Sequence, residues 1–226
     1  MREIVDGVFE LSLGFVNVHL VVTDDGVVLV DTGPPRRSRH IDRALHDLKR
    51  SLGDVRTILL THHHFDHTGN VADLRRRSGA QVFAHAADAP VITGAIRPEP
   101  GGGLMAKLAQ KALGTAEPTK LDKLITADES TPIDGFTALH TPGHTRGHVS
   151  YLLDRAGGVL FAGDAASGGK DGQVVSGPTG VSADQVEQER SVAKLATFDF
   201  DHAVFGHGRP VSGQAVERFR EYAAGH

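Results

Sequence analysis

Cysteine is absent from all 226 residues. Disulfides, thiolate metal ligands and a cysteine nucleophile are excluded together, so any metal bound here must be held by imidazole and carboxylate. Long apolar runs are missing too. No stretch approaches the roughly 18 consecutive apolar residues of a spanning helix, which argues against a membrane protein. The chain also lacks a basic excess: its net charge is −4, the opposite of the basic face a nucleic-acid binder usually shows. The short runs Arg36-Arg37-Ser38-Arg39 and Arg75-Arg76-Arg77 read instead as solvated helix ends, the second suited to a helix C-terminus. The opening Met1-Arg2-Glu3-Ile4-Val5-Asp6 carries acidic residues where a secretory signal has a basic then apolar stretch, so a cytoplasmic protein is expected.

Histidine, by contrast, is abundant, with 14 copies. Four potential ligands crowd into Thr61-His62-His63-His64-Phe65-Asp66-His67, directly after an apolar β-type run. Downstream, His144 lies in Thr-Pro-Gly-His-Thr-Arg-Gly-His, Asp164 in Phe-Ala-Gly-Asp-Ala and His207 in Phe-Gly-His-Gly, each beside a glycine turn after an apolar stretch. On an extended segment residues i and i+2 point the same way, so His62 and His64 can converge on one ion while His63 faces elsewhere.

The length suits one domain spanning residues 1–226. Val18–Val22 and Val27–Val30 read as strands around Asp24-Asp25-Gly26, and the second leads into Asp31-Thr32-Gly33. Ile41, Leu45, Leu48 and Leu52 recur at helical spacing ahead of Gly53, a candidate helix terminator. The strand Val55–Leu60 delivers the histidine cluster; a helix Asn70–Arg77 and the strand Gln81–Ala84 follow. Such β-α-β alternation implies helices packed on a sheet, an α/β class. Later strands are expected at Thr137–His140, Val149–Leu153, Val159–Ala162 and Ala203–Phe205. A helix opened by a capping box at Ser182 runs to about Ala196, and a last helix starts after Gly213. Residues 93–134 break the pattern, with Gly101-Gly102-Gly103 ahead of a short helix Leu104–Leu113 whose apolar face suggests a lid over the site.

The ordered set His62-x-His64-x-Asp66-His67, then His144, Asp164 and His207, with Asp31 upstream, resembles the metallo-β-lactamase superfamily from Val18 to His207. The resemblance implies a four-layer αββα sandwich with the site along one edge. It implies that His62, His64 and His144 hold one metal, that Asp66, His67 and His207 hold a second, and that Asp164 bridges them. Two Zn2+ ions fit these donors, with Fe or Mn as alternatives, and coordination would make hydroxide available near neutral pH. Asp66 is the candidate catalytic base. Asp31 reads as a carboxylate that orients a ligating histidine, and His148 as a hydrogen-bonding residue of the turn into the next strand. His63 reads as a solvated or backbone-bonded neighbour and His85 as a candidate for the cleft wall.

Departures from particular branches narrow the expectation. Flavodiiron proteins have Glu where His64 stands. Two β-lactamase subclasses use a cysteine ligand, and the third is usually secreted. Glyoxalase II enzymes extend into a helical domain, whereas only 19 residues follow His207 here. Lactone lactonases have an active-site tyrosine with no clear counterpart in Tyr151 or Tyr222. The expectation is a small metallo-hydrolase acting on an ester, thioester or lactone, with a small-molecule substrate, no nucleic-acid partner and no membrane. The alternative is a mononuclear iron enzyme resembling persulfide dioxygenases, built on His62, His64 or His144 with Asp164. A β-lactamase or a non-catalytic metal-binding protein ranks below both.

Overall fold

The computed structural model describes residues 1–97, 111–112, 114–177 and 179–225. The chain opens with an antiparallel meander of β1 (Arg2–Val5), β2 (Val8–Ser12), β3 (Asn17–Thr23) and β4 (Gly26–Val30). Pairing then becomes parallel through β5 (Val55–Leu59), β6 (Gln81–His85) and β7 (Lys123–Ile125), completing a seven-stranded sheet in sequence order. Parallel neighbours require crossovers, and helices supply them. Helix α1 (Ser38–Asp47) joins β4 to β5; the one-turn α2 (Phe65–Thr68) and then α3 (Val71–Ser78) join β5 to β6; α4 (Ala89–Ile92) follows β6.

The second half repeats the scheme. Strands β8 (Glu129–Ser130), β9 (Phe136–His140), β10 (Val149–Leu153) and β11 (Val159–Phe161) lead to a small hairpin, β12 (Ala166–Gly168) and β13 (Val174–Ser176). Helix α5 (Gln185–Leu195) then carries the chain to β14 (His202–Val204), parallel to β11, before β15 (Val211–Ser212) and α6 (Ala215–Ala224). The six-stranded sheet runs β15-β14-β11-β10-β9-β8.

Alternation along the strands sorts side chains into layers, because successive residues face opposite sides of a sheet. Val27 and Leu29 of β4 pack with Ile41, Leu45 and Leu74 beneath α1 and α3. Val28 and Val30 turn the other way, into a shared interior with Leu59, Tyr151, Phe161 and Val204. On the far side Leu160 and Ala203 meet Val192, Leu195, Val216 and Phe219 of α5 and α6. Three apolar layers between four structural ones make the αββα sandwich, and each fully buried Val, Leu or Phe contributes roughly 1.5–3 kcal/mol.

Several boundaries differ from the sequence expectation for local reasons. Helix α1 stops at Asp47 because Lys49 adopts a left-handed φ of 56°, and Gly53 lies in a single 3-10 turn, Leu52–Asp54, closed by reciprocal Ser51 and Asp54 bonds. Leu48 and Leu52 still pack on the core. The cap of α5 is Asp184, whose carboxylate accepts the Glu187 N–H at 3.0 Å, rather than Ser182. The stretch 93–134 is not one excursion, since β7 and β8 within it form one edge of each sheet. The expected helix Leu104–Leu113 lies outside the described residues, apart from 111–112.

Candidate metal centre

Parallel strands release their loops at a common edge, and the ligand-type residues sit there. Asp31 follows β4, the His62–His67 cluster follows β5, Asp164 follows β11 and His207 follows β14, while His144 lies in the loop between β9 and β10. This is the carboxyl end of parallel strands, where α/β folds place ligands. Asp66 and His67 stand on α2 rather than in a loop.

The seven residues converge. Candidate donor atoms of His62, His64 and His144 lie within 4.8 Å of one another, as do those of His62, His67 and Asp164, and those of Asp66, His67 and His207. In the first group His64 Nδ1 is 3.1 Å from His62 Nε2 and 2.9 Å from His144 Nε2. In the second, His67 Nε2 is 3.5 Å from Asp164 Oδ1; in the third it is 3.9 Å from Asp66 Oδ2. His207 Nε2 is 3.2 Å from Asp164 Oδ2 and 3.6 Å from Asp66 Oδ2. Asp164 also approaches His144 at 3.3 Å and His62 at 4.0 Å, so its carboxylate touches both groups.

Outer contacts aim the rings. Asp31, 2% exposed, accepts the Thr61 N–H at 2.8 Å on Oδ1, and the Thr61 hydroxyl at 2.7 Å and His67 Nδ1 at 2.8 Å on Oδ2. Because the Thr61 hydroxyl spends its proton on Asp31, its oxygen accepts from His62 Nδ1 at 3.0 Å, which leaves the His62 Nε2 lone pair facing the site. His207 Nδ1 donates to the Phe15 carbonyl at 2.6 Å, which aims its Nε2 into the site. His148 is fully buried: its Nε2 accepts the Asp164 N–H at 2.9 Å and its Nδ1 meets Thr141 Oγ1 at 2.9 Å. His148 therefore braces the backbone of Asp164 across Gly163, whose φ of 57° and contact with the His148 ring leave no room for a side chain.

Charge divides the centre into two poles. Burial, reinforced by neighbouring imidazoles, pushes His62 well below the ordinary histidine range; burial and His63 take His64 down to about 3; burial also pushes His144 well below its usual value against the pull of Asp164. Three neutral imidazoles result. At the other pole burial opposes protonation of His67, yet Asp164, Asp31 and Asp66 together raise it well above its usual value, and Asp164 raises His207 against burial. Burial would likewise raise Asp164, but His67, His207 and His144 hold it well below the carboxylate range.

These donors fit metal ions. Among the described residues His67 Nε2 and Asp164 Oδ1, 3.5 Å apart, are buried without a hydrogen-bond partner, which is costly unless a cation between them completes both. Gly206 keeps the space beside them open, since a Cβ there would overlap the Asp164 carboxylate and the His67 ring. Imidazoles and carboxylates, with the outer nitrogens of His62, His67 and His207 fixed by hydrogen bonds, are the donor types zinc takes.

Sequence reasoning missed Asp88. It is 2% exposed, directly before α4, and joins the two ligand loops: Oδ2 accepts the His63 N–H at 2.9 Å and the Thr145 hydroxyl at 2.8 Å, and Oδ1 accepts the Gly147 N–H at 2.9 Å. Burial opposes its ionisation, but these bonds and His63 hold it below the usual range. Its one sequence signal is an acidic residue just after a buried strand. His63, expected to be solvated or backbone-bonded, has its ring 3.0 Å from Asp88. His85 stacks on His140, with ring centroids 4.0 Å apart. Tyr151 is wholly buried and donates to the Leu60 carbonyl, so it is no active-site tyrosine.

The αββα sandwich with a histidine and aspartate centre at one edge defines a class of metal-dependent enzymes. The family model of the metallo-beta-lactamase superfamily matches residues 11–207, and the chain belongs to that superfamily. It is similar to the probable metallo-hydrolase YflN of Bacillus subtilis, at 29% identity over 94% of this chain and 88% of that protein. It is 34% identical to the hydroxyacylglutathione hydrolase of Halorhodospira halophila over 62% of this chain, a match spanning only 43% of that protein. Among solved structures, the metallo-beta-lactamase family protein TTHA1429 of Thermus thermophilus superposes with a TM-score of 0.77, covering 99% of this chain and 80% of that one at 26% identity. The chain is thus a metallo-hydrolase. No helix among the described residues is long and apolar enough to cross a membrane.

Proposed function

We propose that this protein hydrolyses a small ester, thioester or lactone at a binuclear zinc centre. His62, His64 and His144 would hold one ion, Asp66, His67 and His207 the other, and Asp164 would lie between them. The observation that carries the reading is the pair of orphaned atoms, His67 Nε2 and Asp164 Oδ1, inside a ring of donors already aimed by their outer contacts. Similarity to proteins named hydroxyacylglutathione hydrolase supports the thioester member of this set.

Zinc, when bound, supplies Lewis acidity toward a scissile carbonyl and lowers the pKa of water to about 7. The chain's own residues do the rest. Asp66, half-buried where His67 would be sealed from solvent, takes the proton of the attacking water on a carboxylate oxygen and returns it to the leaving group. Asp31 keeps a proton on His67 Nδ1, and the Phe15 carbonyl does so on His207 Nδ1, so each ring would offer its Nε2 to the ion. His148 fixes the Asp164 backbone and prevents that carboxylate from drifting toward one pole.

Replacement of Asp66 with Ala removes both a donor and the proton acceptor. In zinc-replete protein that stays folded, kcat on a thioester should fall by about 10²-fold or more, the usual range for loss of a general base. Elemental analysis of parent protein purified without added metal should find about two zinc per chain, as a binuclear site requires. An unchanged kcat in the Asp66→Ala protein would overturn the mechanism, and one iron per chain with oxygen uptake would overturn the reaction class.

A further inference from the structure

Beside the donor ring opens a cavity of about 390 Å³ whose walls include His64, His144, Val91, Val181 and Arg146. Arg146 is exposed, and among the described residues its guanidinium makes no hydrogen bond or ion pair. What sets Arg146 apart is its place: it shares the wall of this cavity with His64 and His144. The one carboxylate among the lining residues, Asp88, cannot serve it, since its oxygens are taken by His63, Thr145 and Gly147.

The backbone beneath this free cation is rigid. Thr145 and Gly147, on either side of Arg146, are both bonded to buried Asp88, and the Arg146 carbonyl accepts from His140 Nε2 at 3.0 Å. A fixed base with an unpaired tip is the arrangement of a recognition residue, because little backbone entropy is left to lose when the tip engages a ligand. The guanidinium presents a planar fork that matches an oxyanion bidentately. Val91 and Val181 supply an apolar wall with no competing charge.

We propose that Arg146 is a specificity-determining residue that binds an oxyanion, a carboxylate or phosphate, on the substrate while its scissile acyl group lies at the metal centre. The inference rests on the hydrolase reading above. The substrate is then an anionic ester or thioester, and Arg146 acts on selection among substrates.

The test is a panel of thioesters hydrolysed by zinc-replete parent and Arg146→Gln protein: the acetyl thioesters of mercaptoethanol, mercaptopropionate and mercaptoethyl phosphate, and the glutaryl thioester of mercaptoethanol. The expected result is a higher kcat/KM for at least one anionic member than for the neutral one. That ratio should fall by about tenfold in Arg146→Gln, the worth of a charge-assisted bidentate contact, and the member that loses it identifies carboxylate or phosphate and its position. A flat panel, or a ratio kept in the variant, overturns the proposal. Should the parent cleave no member, the thioester reading fails, and Arg146 is judged by calorimetry with the uncleavable thioether analogue of acetyl mercaptopropionate. Binding weakened about tenfold by Arg146→Gln supports the oxyanion site, and equal binding, as when the carboxylate sits on zinc, refutes it.

Discussion

Asp31 shows how much of the centre is decided one residue at a time. Its φ of 63° is left-handed, a conformation Asp and Asn tolerate better than other non-glycine residues, and it turns the carboxylate back to take three bonds at once from Thr61 and His67. Asn in its place keeps the backbone and volume but loses the charge and one acceptor oxygen, so His67 Nδ1 is no longer held. Asp31→Asn should lower zinc affinity by about 10–100-fold, read by competition with a chromogenic chelator, with the fold intact by circular dichroism. Parent-like affinity would mean the carboxylate does not set the ring. That the seven ligand-type residues and Asp31 meet at one rim was legible, because residue type, strand-end placement and the family resemblance of their order all pointed to one cluster. Asp88 was not: an Asp in a turn is ordinary, and only the fold brings the 63 and 145–147 loops to it.

Between elements, β6 and β9 meet at the same rim through the His85–His140 stack, which joins the end of one sheet to the end of the other with rings 8° from parallel. Burial, then the neighbouring His140, lowers the pKa of His85 below its ordinary histidine value. The sign follows from that direction. With the folded value depressed, the unfolded chain binds the proton first, so the stability tied to neutral His85 is fully present above about pH 6.5 and is lost as pH falls below it. Urea midpoints at pH 7 and pH 5 should therefore drop less for His85→Gln than for the parent; an equal drop in both would remove His85 from the account. Strands of this kind were readable from apolar runs. The edge strands β1, β7, β8 and β15 were not, because two- to four-residue strands carry too few apolar positions to show a period.

At the scale of the molecule, the centre stitches two halves together. His62, His64, Asp66 and His67 come from the β5–β6 crossover of the seven-stranded sheet, and His144, Asp164 and His207 from loops of the six-stranded one. The sandwich interior between them is apolar and packs without any metal, so the protein should fold when stripped. Stripping nevertheless leaves His67 Nε2 and Asp164 Oδ1 buried and unmatched and gathers Asp31, Asp66 and Asp164 around one pole. Because each ion would draw donors from, or lie against, both halves, its binding energy counts against global unfolding rather than fraying of one loop. A ligand at 1,000 times its Kd stabilises by about 4 kcal/mol, and at about 2–4 °C per kcal/mol for a chain of this size the melting temperature should rise by about 8–16 °C when zinc is restored to chelator-treated protein. The rise should shrink in Asp164→Asn, which keeps the side chain's shape but not the charge that touches both poles. If calorimetry finds the same melting temperature with and without zinc, the two halves are joined by packing alone, and the donor ring does not bind the ion in the folded state.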